Sequence, residues 1–112
     1  MNSIRFKSRK LAKVFNSEKE LFREYGIRLG TLIKRRMSVL RAAPTLEDVS
    51  HRPPERRHEL KGRRKGTFAV DLEHPYRLVF KPDHNPLPFK EDGGIDLRKV
   101  TAITIVGVED YH

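Results

Sequence analysis

A chain of 112 residues supports one hydrophobic core and not two, and 37% hydrophobic with 35% charged residues suffices for a small folded domain. Without cysteine there is no disulfide framework, thiolate metal site or cysteine nucleophile; without an apolar leader, or any run near the ~18 apolar residues of a membrane span, a soluble, cytoplasmic protein with no membrane partner is expected. The net charge of +9 is concentrated: residues 1–41 hold 12 basic and 3 acidic side chains, residues 42–112 hold 12 and 12, and within the latter the stretch 52–65 holds 7 and 2.

Ser3 to Lys7 alternate apolar and basic side chains, with Ile4 and Phe6 on one side, and predict a first strand. Ser8 is placed to cap a helix in which Leu11, Val14 and Phe15 follow at helical spacing. Ser17-Glu18-Lys19-Glu20 has the capping-box pattern, starting a fresh helix after Asn16 that Leu21, Phe22 and Tyr25 continue. Gly26 reads as its terminus. Beyond it Leu29, Leu32, Ile33, Met37 and Leu40 share one face of a second helix reaching about Ala43, where Pro44 stops it. Arg28, Lys34, Arg35 and Arg41 hold the opposite face, and the two helices predict a hairpin.

Pro44 to Arg57 reads as a loop, with Thr45 able to cap one turn through Val49. His58 to Lys61, Thr67 to Leu72 and Tyr76 to Lys81 predict a meander of short strands, turned by Gly62 to Gly66 and by Glu73-His74-Pro75. After an irregular excursion from Pro82 to Gly94, Val100 to Val108 is the longest β-branched apolar run and is expected to be the central, most buried strand. Strand, helical hairpin, then antiparallel sheet make a single α+β domain over 1–112.

The motifs for common cofactors fail on spacing. Gly62 to Gly66 has no Lys-Ser or Lys-Thr opening a helix, so it is a hairpin turn rather than a phosphate loop, although Arg63, Arg64 and Lys65 could touch phosphates. Glu91 to Asp96 lacks the alternating carboxylates of a calcium loop, and the histidines at 51, 58, 74, 84 and 112 have no i, i+4 pair. No metal or cofactor is expected. The concentrated basic charge suits a polyanion such as nucleic acid, whose binding is salt-dependent, although a solvated surface has the same composition. His58, Lys61, Arg77 and the terminal Glu109-Asp110-Tyr111-His112 supply the base, cation and acid that cleave RNA at its 2′-hydroxyl. The same residues also fit a surface histidine and ordinary strand charges.

Three segments together carry a resemblance: His58-Glu59-Leu60-Lys61-Gly62 followed by Gly66-Thr67-Phe68, then Tyr76-Arg77-Leu78-Val79-Phe80, and the end Glu109-Asp110-Tyr111-His112. They resemble the HigB branch of the RelE/ParE toxin superfamily over nearly the whole chain, and Gly93-Gly94-Ile95-Asp96 resembles an insertion of a longer-loop subgroup. Phe68 departs from the tryptophan common there. The resemblance implies a small α+β toxin that cleaves mRNA on the ribosome and is neutralised by a helix-turn-helix antitoxin. It also implies a catalytic group of His58, Lys61, Arg77, Asp110, Tyr111 and His112, with the general base open among His58, Asp110 and His112. A gyrase inhibitor of the same fold and a non-enzymatic RNA-binding module are the alternatives.

Overall fold

The computed structural model describes residues 1–110. Its elements are β1 (Ser3–Phe6), α1 (Arg9–Phe15), α2 (Glu18–Ala42), β2 (His58–Glu59), β3 (Phe68–Asp71), β4 (Tyr76–Pro82) and β5 (Ala102–Asp110), with short 3-10 turns at Leu46–Asp48, Gly62–Arg64 and Leu97–Lys99. This is the predicted α+β order. The radius of gyration, 13.7 Å, is close to the ~13 Å of a compact chain of about 100 residues.

Ser8 and Ser17 cap α1 and α2 through their side-chain oxygens, which accept from the backbone of Leu11 and Glu20. Gly26, at φ 82° and ψ 166°, interrupts α2. In a straight helix Glu18 and Lys34 would stand about 24 Å apart. Instead Lys34 Nζ donates to Glu18 Oε2 at 2.7 Å and lies 5.7 Å above the Phe22 ring. The two segments of α2 therefore double back as a hairpin, and Gly30, where an added Cβ would stand 2.5 Å from Phe22, lets them approach.

The sheet order is β1-β5-β4-β3-β2, with β1 parallel to β5 and every other pair antiparallel. The middle strand is therefore β4, not the expected Val100–Val108 segment. That strand starts later, at Ala102, because Leu97–Lys99 forms a 3-10 turn and the amides of Thr101 and Ala102 donate to His84 Nε2 at 3.0 and 3.3 Å. The first meander strand is shorter than expected. Its ladder ends where Leu60 donates to the Thr67 carbonyl, and Lys61 already begins the turn Gly62–Arg64.

One face of the sheet presents Phe68, Val70, Leu78, Phe80, Ile103 and Ile105 to Leu21, Ile33, Met37 and Leu40 of the helices. Phe68 stacks on Phe80 at 6.3 Å, so the departure from tryptophan keeps an aromatic in the core. The other face carries a small cluster of Leu60, Ala69 and Val79 with Val106, to which neither helix contributes a residue. No helix among the described residues is long and apolar enough to cross a membrane.

Candidate functional site

Side chains alternate between the two faces of a strand. Leu78 and Phe80 belong to the helix-covered core, so Arg77 and Val79 belong to the other face. The register then builds two rows on that face. His58 on β2 stands opposite Ala69, which stands opposite Val79, which stands opposite Gly107. One pleat further along, Asp71 on β3 stands opposite Arg77 on β4, which stands opposite Glu109 on β5. The two sequence candidates His58 and Arg77 thus share a face. They sit two strands and two residues apart, about 12 Å between Cα atoms, with only the small Ala69 and Val79 in the row between.

Glu109 reaches this face through a β-bulge. Val79 pairs with Gly107 but Phe80 pairs with Ile105, which leaves Val106 as an extra residue and reverses the alternation beyond it. Without the bulge Glu109 would point at the helices. The same reversal sends Asp110, which pairs with Tyr76, to the face opposite Arg77. Asp110 is also three strands and three residues from His58, about 17 Å between Cα atoms, so the expectation that it could orient His58 does not hold. Tyr111 and His112 lie outside the described residues.

A line of alternating charge crosses the sheet. Arg56 forks onto Asp71, with Nε and Nη2 donating at 2.6 and 3.0 Å, and Arg64 forks onto Glu109, its Nη2 donating at 2.8 Å. Arg77 lies between the two carboxylates. Hydrogen bonds from Arg64 hold the Glu109 carboxyl below its ordinary range, against partial burial and helped by the charges of Arg64, Arg77 and Lys7. Arg77 thus stands across from two acids that other arginines already fork, near enough for its charge to help lower the Glu109 carboxyl. His58 Nδ1 lies 2.8 Å from the Arg56 carbonyl oxygen. A carbonyl can only accept, so in the neutral ring Nδ1 carries the proton and Nε2 presents the lone pair of a base.

The basic candidates separate into two groups. Arg63, Arg64 and Lys65 lie on the turn after β2, next to His58, and Arg64 is committed to Glu109 while Arg63 and Lys65 are exposed. Arg28, Lys34, Arg35 and Arg41 are exposed on α2, in the layer on the other side of the sheet, with Arg28 2.7 Å from Glu73 and Lys34 paired to Glu18. Lys61 is exposed beside the Arg63 group. The sequence reading missed Arg36, which is 6% exposed and donates through Nε to the Asp71 backbone carbonyl at 2.7 Å; its place between Ile33 and Leu40 lies on the inward stripe, but an arginine there does not register in an apolar pattern. It also missed Arg56 and Tyr76, which line a cleft beside Arg77 together with His74. A signal was available for Tyr76, an aromatic directly before Arg77 at a strand end. Among the described residues no three His, Asp or Glu side chains converge as metal ligands.

No protein-family model matches the chain, and no curated protein does.

Proposed function

We propose that the chain is the toxin of a type II toxin–antitoxin pair, a ribosome-dependent endoribonuclease that cuts mRNA in the cytoplasm without a metal and is held inactive by a helix-turn-helix antitoxin. The observation that carries this reading is that His58 and Arg77 share one face of the sheet, with His58 Nδ1 at the Arg56 carbonyl and Arg77 across from Asp71 and Glu109. In this reading His58 Nε2 takes the 2′-hydroxyl proton as the 2′ oxygen bonds to phosphorus. Arg77, with Lys61 three residues beyond His58, stabilises the charge of the pentacoordinate phosphorane. The bond from phosphorus to the 5′ oxygen then breaks, an acid from the chain end, Tyr111 or His112, protonates that oxygen, and the products end in a 2′,3′-cyclic phosphate and a 5′-hydroxyl; Asp110, on the other face, is left out of this step.

An open sheet face with two residues about 12 Å apart does not by itself bend an RNA chain into line, and the decoding site of a ribosome supplies that constraint. The expected result is efficient cleavage of a translated message and poor cleavage of the same message without ribosomes, read by primer extension. Equal cleavage in both removes the ribosome; cleavage in neither, by folded protein, removes the nuclease.

A further inference from the structure

We infer that the cleft at the β3–β4 turn is a subsite for one nucleotide of the RNA chain next to the cleaved phosphate, with Tyr76 as its stacking surface and Arg56 and Arg77 as its phosphate contacts. This rests on the RNA-cleaving reading but uses residues outside the acid and base. The cleft has a volume of about 230 Å³ and is lined by Arg56, Asp71, His74, Pro75, Tyr76 and Arg77. That is below the ~300 to 1,000 Å³ of pockets that enclose a whole small molecule, so it suits one unit of a longer chain.

The lining has the chemistry of a nucleotide. Tyr76 is 40% exposed, one of few large hydrophobic side chains left to solvent, and offers an aromatic face on which any base stacks. Two guanidiniums flank one carboxylate, Arg56 forked onto Asp71 and Arg77 facing it across the strand pair, while buried Arg36, behind the cleft, donates to the Asp71 backbone carbonyl. The excess positive charge favours a phosphate, and Arg36, being buried, is poorly screened. Arg56 is the one described non-glycine residue with positive φ, 45°, a strained backbone that the Asp71 fork helps to hold and that sets its side chain at the cleft. Position agrees with this. Of the Asp71–Arg77–Glu109 row the cleft takes in the first two, at the turn end of β3 and β4, while Tyr76, which alternates to the helix side together with Asp110, enters it from the end of the strand. An acidic peptide would use the arginines but leave the aromatic face idle.

The probe is a fluorescein-labelled 2′-O-methyl RNA hexamer, which lacks the 2′-hydroxyl nucleophile and stays uncut, titrated by anisotropy. Tyr76→Leu is expected to weaken binding about 5- to 150-fold, and Tyr76→Phe to stay within about twofold of wild type. Both substitutions are at an exposed position, and thermal melts confirm folding. Adenosine monophosphate is expected to bind far more weakly than the hexamer. Unchanged affinity in Tyr76→Leu, no hexamer binding by the wild type, mononucleotide binding as tight as the hexamer, or displacement of the probe by hexaglutamate as readily as by unlabelled RNA each overturns the subsite. Unchanged hexamer affinity in a Tyr76→Leu protein that still cuts ribosome-bound message removes the subsite and leaves the nuclease; Tyr76-dependent binding by a protein that cuts nothing does the reverse.

Discussion

Arg77 stands between Asp71 and Glu109, and each of those acids is forked by another arginine, so the charges flanking its place on the sheet are fixed before any substrate arrives. Preorganised charge of this kind is where catalytic power resides, and Arg77→Ala is expected to lower mRNA cleavage about 10²- to 10³-fold with little change in melting temperature. His58→Ala removes the proposed base and is expected to cost about 10²- to 10⁴-fold in the same primer-extension assay. Glu109 gives a test of these fixed charges. Its folded-state carboxyl lies below its ordinary value, so the stabilisation is complete above the unfolded pKa of ~4.3 and is lost as pH falls through the folded value. Urea midpoints of wild type should exceed those of Glu109→Gln near pH ~6, with the gap closing under acid conditions. A constant gap would mean that the loss in the variant is one of shape and not of charge. His84 is structural: its Nε2 accepts from the amides of both Thr101 and Ala102, and His84→Phe, which leaves two donors without that acceptor, is expected to cost about 1 to 3 kcal/mol.

Two glycines shape the elements that carry these residues. Gly26 turns one continuous helical sequence into a hairpin, and an added Cβ there meets nothing within 4 Å, so the penalty of Gly26→Ala comes from its φ of 82° alone. That substitution is expected to lower stability by about 1 kcal/mol or more and to loosen the Lys34–Glu18 pair, read by urea denaturation. Gly107, at φ 148°, sits in the bulge that decides which of Glu109 and Asp110 joins Arg77. Deleting Val106 would leave Arg77 opposite Glu109, whereas deleting Val108 moves Glu109 into its place opposite Leu78, facing the helices, so the Val108 deletion is expected to destabilise far more than Val108→Ala.

Taken whole, the molecule has basic groups on both sides of one sheet, with the turn after β2 beside His58 and α2 on the far layer. Under the proposed ribosome-dependent function, a surface settling into ribosomal RNA would meet phosphates on more than one side, as this division allows. The pairs that hold Arg28 and Lys34 are exposed and individually weak, so phosphates can replace Glu73 and Glu18 as partners. Reversing the charge of Arg28, Lys34, Arg35 and Arg41 together is expected to weaken ribosome association and to lower the slope of log affinity against log salt by roughly 0.7 to 0.9 per lost contact. An unchanged slope in the folded variant would reduce this layer to solvated surface.

Local physics wrote much of this architecture into the chain. Serine caps, the heptad-like spacing from Leu29 to Leu40, the hairpin turns and the β-branched run near the end each depend on neighbours within a few residues, and the α+β order follows from them. The presence of His58 and Arg77 was equally legible, since a residue type needs no fold to be seen. Their sharing of a face was not. Face depends on register, and register depends on pairing between distant segments and on one unpaired residue, Val106, whose effect on Glu109 and Asp110 has no local signature. The same holds for strand rank. Val100 to Val108 is the most apolar run, yet β4 takes the middle because β1 adds in parallel to the far edge of β5, a long-range pairing that composition does not encode. Arg56 and Arg36 come to Asp71 from a loop and a helix, and only the folded chain brings such residues within hydrogen-bonding distance.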